Sequence, residues 1–81
     1  MKYEVVYRNL CQNIRHLRKV HGLSRQDMAQ IMGISAVTLG RIERQESGVR
    51  LYAAALCRLC DHFHYSVDEI MYENWPDMLK R

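Results

Sequence analysis

Val6, Leu10, Ile14 and Leu17 follow one another at steps of four, four and three, the spacing that places side chains on one face of an α-helix. The stripe predicts a first helix over about Glu4–Val20. Gly22, just past the last periodic residue, is the residue type that stops a helix. Ser24 then stands three residues before Asp27, a capping box with aspartate in place of glutamate. It opens a second helix, Arg25–Met32, whose apolar positions are Met28, Ile31 and Met32, with the small Ala29 among them. Gly33 ends this helix, Ile34 is an apolar residue in the turn, and Ser35 caps a third helix running to about Arg44, with Leu39 and Ile42 facing inward. After a polar loop, Gln45–Gly48, a fourth helix is expected over roughly Leu51–His62, with Leu56, Leu59, Cys60 and Phe63 inside. Ser66-Val67-Asp68-Glu69 is a complete capping box for a short fifth helix through Ile70 and Met71. No segment alternates apolar and polar residues between hairpin turns, so the pattern predicts an all-α fold of five helices.

Composition narrows the class. Eighty-one residues suffice for one domain with one modest core, and the chain reads as a single domain over 1–81. Hydrophobic residues make up 48% and charged residues 26%, a globular balance and not a disordered one. An apolar run such as Ala53–Cys57 falls far short of the roughly 20 residues that span a bilayer. The N-terminal Tyr3-Glu4-Val5-Val6-Tyr7 lacks the apolar core of a signal peptide, and a cytoplasmic location is expected. The three cysteines, Cys11, Cys57 and Cys60, are an odd set, which argues for free thiols over a disulfide framework.

Charge is unevenly placed. Residues 1–50 carry nine Lys/Arg and four Asp/Glu, a balance of +5, whereas residues 51–81 carry three and five, a balance of −2. A basic first half is the arrangement that faces a polyanion. The two short helices joined through Met32-Gly33-Ile34-Ser35 have the dimensions of a helix-turn-helix unit that reads DNA. Ala29 is small where the two helices meet, Gly33 takes a conformation that a β-carbon disfavours, and Ser35 leaves a helix N-terminus whose free N–H groups suit phosphate.

Ile14-Arg15-His16-Leu17-Arg18, Gly22-Leu23-Ser24, Met28-Ala29, Gly33-Ile34-Ser35, Arg41-Ile42-Glu43-Arg44 and Ser66-Val67-Asp68-Glu69-Ile70 together resemble the lambda-repressor/Cro-like (XRE-type) helix-turn-helix family. The resemblance covers about Asn9 to Met71 and leaves residues 72–81 as a tail. It implies a five-helix DNA-binding domain with the helix-turn-helix at the second and third helices. The third would be the recognition helix, with Ala36, Val37, Gly40 and Arg41 turned to the major groove. Arg25 falls where the family usually has a glutamine that contacts phosphate or base. Arg18 and Glu43 fall where it often has a partly buried ion pair between the first and third helices. Arg44 and the loop Gln45–Arg50 would lie near the phosphate backbone. The implied site is thus Arg25, Ser35, Ala36, Val37, Gly40, Arg41, Arg44 and Arg50.

Two departures bear on base reading. Ala36, Val37 and Gly40 have no side-chain hydrogen-bonding groups, so apolar contact with a thymine methyl and the one guanidinium of Arg41 are what the helix offers. Glu46, in the adjoining loop, would repel DNA if it points that way. Phosphate contact and DNA shape would then carry more of the recognition.

Other constellations read as structure. Cys57 and Cys60, with His62 and His64 close behind, have zinc-like spacing, but they sit mid-helix at positions the family fills with apolar residues. Core packing is the expectation, with no metal and no cofactor. No nucleophile is set beside a histidine and an orienting acid, and no glycine-rich phosphate loop is present, so no enzyme is expected. Arg15, Lys19 and Arg50 serve equally as solvated charges or as DNA contacts. Tyr3, Val6, Tyr7, Trp75, Met78 and Leu79 exceed what a minimal core needs and either cap the domain or form a dimer interface. The expectation is a transcriptional regulator, a repressor acting as a homodimer on double-stranded DNA. An antitoxin or restriction-modification controller with a protein partner, and an interaction module that has lost DNA reading, are the alternatives.

Overall fold

A computed structural model describes residues 3–46, 49 and 51–75. Five helices follow in order, α1 (Tyr3–Val20), α2 (Arg25–Met32), α3 (Ala36–Glu43), α4 (Ala53–Phe63) and α5 (Val67–Tyr72), and the described residues contain no strand. No helix among them is long and apolar enough to cross a membrane.

Serine starts three of the helices. Ser24, Ser35 and Ser66 each lie in extended backbone and accept a hydrogen bond from the N–H three residues on, at Asp27, Thr38 and Glu69. In α5 the box is reciprocal, because Glu69 Oε1 accepts from Ser66 N at 3.0 Å. These bonds satisfy N–H groups that a helix start otherwise leaves open.

A shared device ends four helices. Gly22, Gly33, Gln45 and His64 have φ of 65°, 72°, 58° and 63°, the left-handed conformation. In each case the next N–H reaches back to the carbonyl five residues earlier, as in Ile34 N to Ala29 O at 3.0 Å and Glu46 N to Arg41 O at 3.1 Å. This is the Schellman closure. Gly33 is doubly constrained, since the Arg58 guanidinium of α4 also packs where a β-carbon would stand.

The core gathers Leu10, Cys11, Ile14 and Leu17 of α1, Met28, Ala29 and Met32 of α2, Leu39 and Ile42 of α3, Ala55, Leu59 and Cys60 of α4, and Ile70 of α5. Val6 and Ile31 are only half-buried. The fourth helix departs most from expectation. It begins two residues later, at Ala53, and its inner line is Ala55, Leu59 and Cys60, with Leu56 and Phe63 packed at the margin. The reading of Cys57 as a core residue is corrected, for Cys57 is exposed while Cys60 is buried. The inward arc of α4 runs from Ala55 through Leu59 to Cys60, and Cys57, one step further round the helix than Cys60, falls outside it. Among the described residues no three histidine, cysteine or carboxylate side chains converge in a way that could hold a metal ion.

Two asparagines tie the last element to the first. Asn13 is wholly buried; its Nδ2 donates to the carbonyls of Ile70 at 2.7 Å and Glu73 at 2.6 Å, and its Oδ1 accepts from Trp75 N at 3.3 Å. Asn9, one turn earlier, donates to the carbonyls of Met71 at 2.8 Å and Glu73 at 2.9 Å. The open carbonyls at the end of α5 are thereby answered by side chains of α1. Trp75 also stacks on Tyr65 with ring centroids 4.8 Å apart.

Candidate nucleic-acid interface

The candidate interface is built on α2, α3 and the turn between them. Ser35 fixes the start of α3. Its Oγ accepts from Thr38 N at 3.0 Å and donates to Thr38 Oγ1 at 2.9 Å.

The sequence-predicted residues separate by environment. Val37 is 73% exposed and is the apolar tip of the outward face. Ala36 is half-buried and packs partly on the core. Gly40 is buried and lies beneath Arg44, whose Nη1 comes to 3.1 Å of where a Gly40 β-carbon would stand. A bare backbone turned to the groove was the expectation for Gly40; in the structure a guanidinium lies over it instead. The side chains of Arg25, Arg41 and Arg44 are all exposed. Arg50 lies outside the described residues. Arg15 and Lys19 are exposed on α1.

Two carboxylates organise four arginines. Glu43 is buried, with 1% of its side chain exposed. Arg18 Nε donates to Glu43 Oε2 at 2.7 Å and Nη2 to Oε1 at 2.9 Å, a two-pronged bond between α1 and α3. Arg18 Nη1 also donates to the Leu23 carbonyl at 3.0 Å, so one side chain joins α1, the following turn and α3. The bonds to Glu43 hold the Arg18 guanidinium above its ordinary pKa, against the opposing pull of desolvation. Arg25 Nε approaches Glu43 Oε1 at 3.5 Å, which ties the start of α2 to the same carboxylate. Glu46 is the second organiser. Arg44 Nε donates to its Oε2 at 2.8 Å, Arg44 Nη2 lies 2.7 Å from the same oxygen, and Arg41 Nε lies 3.8 Å from Oε1. Glu46 therefore faces the two arginines and does not point away from this surface. Three of the four guanidiniums, those of Arg25, Arg41 and Arg44, remain exposed on this face.

Arg58 was not singled out from the sequence, yet its guanidinium packs on Gly33 in the helix-turn-helix turn. It stands on α4, well away from the motif in sequence. Only the packing of α4 against α2 brings it there.

A family model described as a helix-turn-helix domain matches residues 10–70. No curated protein and no solved structure gives a match. The matched span runs from Leu10 at the head of the core stripe to Ile70, the buried residue of α5, and encloses the capped pair α2 and α3. The chain belongs to the helix-turn-helix domain family, a class of DNA-binding folds.

Proposed function

We propose that this protein is a transcriptional regulator, a repressor that binds duplex DNA with α3 in the major groove. The observation that carries the reading is the exposed face of the helix-turn-helix. Val37 projects from it, and the three exposed guanidiniums of Arg25, Arg41 and Arg44 line it beside two serine-capped helix starts. Helix N-termini and guanidiniums are the groups that hold phosphate oxygens and set register. The three cysteines are free, as suits a protein that works in the reducing cytoplasm.

A homodimer completes the proposal. An open apolar groove of about 700 Å³ is lined by Val6, Tyr7, Leu10, Leu51, Tyr52 and Met71, among others, and Tyr52 and Tyr72 at its edge are 62% and 54% exposed. A second copy seated there would give two recognition helices, which on successive major-groove faces stand roughly 34 Å apart. Of the tail residues considered for this role, Trp75 packs on its own domain, and Met78 and Leu79 lie outside the described residues.

Selection of the purified protein on random-sequence duplex pools at two salt concentrations tests the proposal. A sequence-specific dimer enriches a palindrome, and its affinity falls steeply with salt, with a slope of roughly −0.9 per phosphate neutralised. No binding at either salt overturns it and favours a protein-interaction module, the reading to which Glu46 lends weight by already occupying Arg41 and Arg44. Arg41→Ala separates the two on a folded chain: a DNA reader loses duplex affinity, and an interaction module is indifferent.

A further inference from the structure

We propose that Arg44, laid over Gly40 and held there by Glu46, reads a guanine edge, and that Glu46 is the positioning residue for that contact. The inference rests on the DNA-binding reading above and names how the same surface discriminates among sequences.

Val37, Gly40, Arg41 and Arg44 stand at i, i+3, i+4 and i+7, so they share one face of α3 and its cap. Long side chains on a helix run toward its N-terminus and cover the turn before their own Cα. Arg44 therefore runs back over residue 40, and there it meets glycine. The 3.1 Å from Nη1 to the missing β-carbon shows how closely the guanidinium lies on the helix. Any longer side chain at 40 would displace it. The helix that carries only apolar and small residues at its first reading positions thus presents a guanidinium in the middle of that face.

The guanidinium is also oriented. Glu46 Oε2 accepts from Nε at 2.8 Å and lies 2.7 Å from Nη2, so the carboxylate stands along one edge of the planar fork. The end-on edge, Nη1 with the second Nη2 proton, is left to donate two parallel bonds, the pattern that matches O6 and N7 of guanine. Gln45, in its left-handed conformation, turns the chain so that Glu46 follows the helix closely enough to reach back. The carboxylate has a second effect. Placed beside two arginines, it lowers their attraction for phosphate in general, and so favours the sequence whose guanine repays the fork.

The test uses the duplex that wild-type protein selects, the same duplex changed at each half-site base pair in turn, and a version with 7-deazaguanine. Wild type, Arg44→Lys and Glu46→Gln are compared by fluorescence anisotropy at fixed salt; both side chains are exposed, and circular dichroism checks that the variants fold. Wild type should lose roughly 5- to 150-fold in affinity at one guanine position, and 7-deazaguanine at that position should reproduce much of the loss. Arg44→Lys keeps the charge and lacks the fork, so it should bind altered and unaltered duplexes alike. Glu46→Gln should bind random duplex more tightly and discriminate less. If Arg44→Lys weakens every duplex by the same factor and keeps the guanine preference, Arg44 is a phosphate contact and the inference fails. If Glu46→Gln strengthens all duplexes equally, Glu46 is a source of repulsion only, and its positioning role fails. Absence of duplex binding by wild type is a different failure, that of the DNA-binding reading itself.

Discussion

Glu43 shows how much a single side chain can hold. It is buried, takes two bonds from Arg18 and stands near Arg25. Removing one partner of such a pair leaves the other charged and desolvated, at about 3–5 kcal/mol. Arg18→Ala is therefore expected to lower stability by that amount in urea unfolding, and Arg18→Met with Glu43→Leu to recover most of it. This pair was legible because the family pattern marks both positions, and no periodicity would have joined residues 25 apart in sequence. Asn13 was less visible. It lies on the inward side of α1 among apolar neighbours, and a polar residue there, with another at Asn9 one turn earlier, was the available signal. What those residues grip, the carbonyls of α5, could not be read from the linear chain. Asn13→Ala strands those carbonyls and is expected to cost about 1–3 kcal/mol. Emission from Trp75, the chain's single tryptophan, should shift to the red in the same variant as its backbone bond to Asn13 is lost.

At the scale of the element, capping chemistry was the most readable feature of this chain. The three serine starts and the two glycine stops all stand where the sequence marked them. The other two stops, Gln45 and His64, were not marked, because neither residue type announces a left-handed backbone. That conformation costs a residue with a β-carbon about 1–2 kcal/mol, part of which glycine returns as entropy of the unfolded chain. His64→Gly is expected to raise stability by roughly 0.5–1 kcal/mol, seen as a higher melting temperature. The rotation of α4 was misjudged for a related reason: its apolar residues nearly encircle it, so spacing alone could not say which arc faces α2. Ala55 won the inner position, and Cys57 was left outside.

For the whole molecule, the buried thiols set the alkaline limit. Burial pushes the Cys11 thiol above its usual pKa, with a bond to Tyr7 acting the other way. Burial also raises Cys60, helped by the nearby Cys57 and Glu69. An unfolded chain gives up these protons from about pH 8.5, while the folded one retains them, so the unfolded state binds fewer protons and stability falls as pH rises beyond that point. The loss per thiol is bounded by about 1.4 kcal/mol per pH unit and runs only between its unfolded and its raised folded titration. Replacing both with alanine should lower stability at pH 7 yet flatten the alkaline limb of a plot of melting temperature against pH. The global arrangement, five helices around one core with exposed arginines on and beside the second and third, was within reach of the sequence because local signals and family pattern agreed. The placement of Glu46 between Arg41 and Arg44, and of Arg58 on the turn, depended on tertiary contact and was not.

The asparagine bridge has a consequence in time. Asn9 and Asn13 wait for carbonyls contributed some 57 to 64 residues later. In a nascent chain leaving the ribosome, the caps and the turn of α2 and α3 can be closed by neighbouring residues, while helices this short depend on the shared core for their stability. The chain cannot satisfy the inner face of α1 until α5 and Trp75 have emerged. Closure of α1 onto the rest of the core therefore waits for residues 70–75. A chain halted before residue 70 would expose an unfinished core, the kind of species that chaperones and proteases act upon.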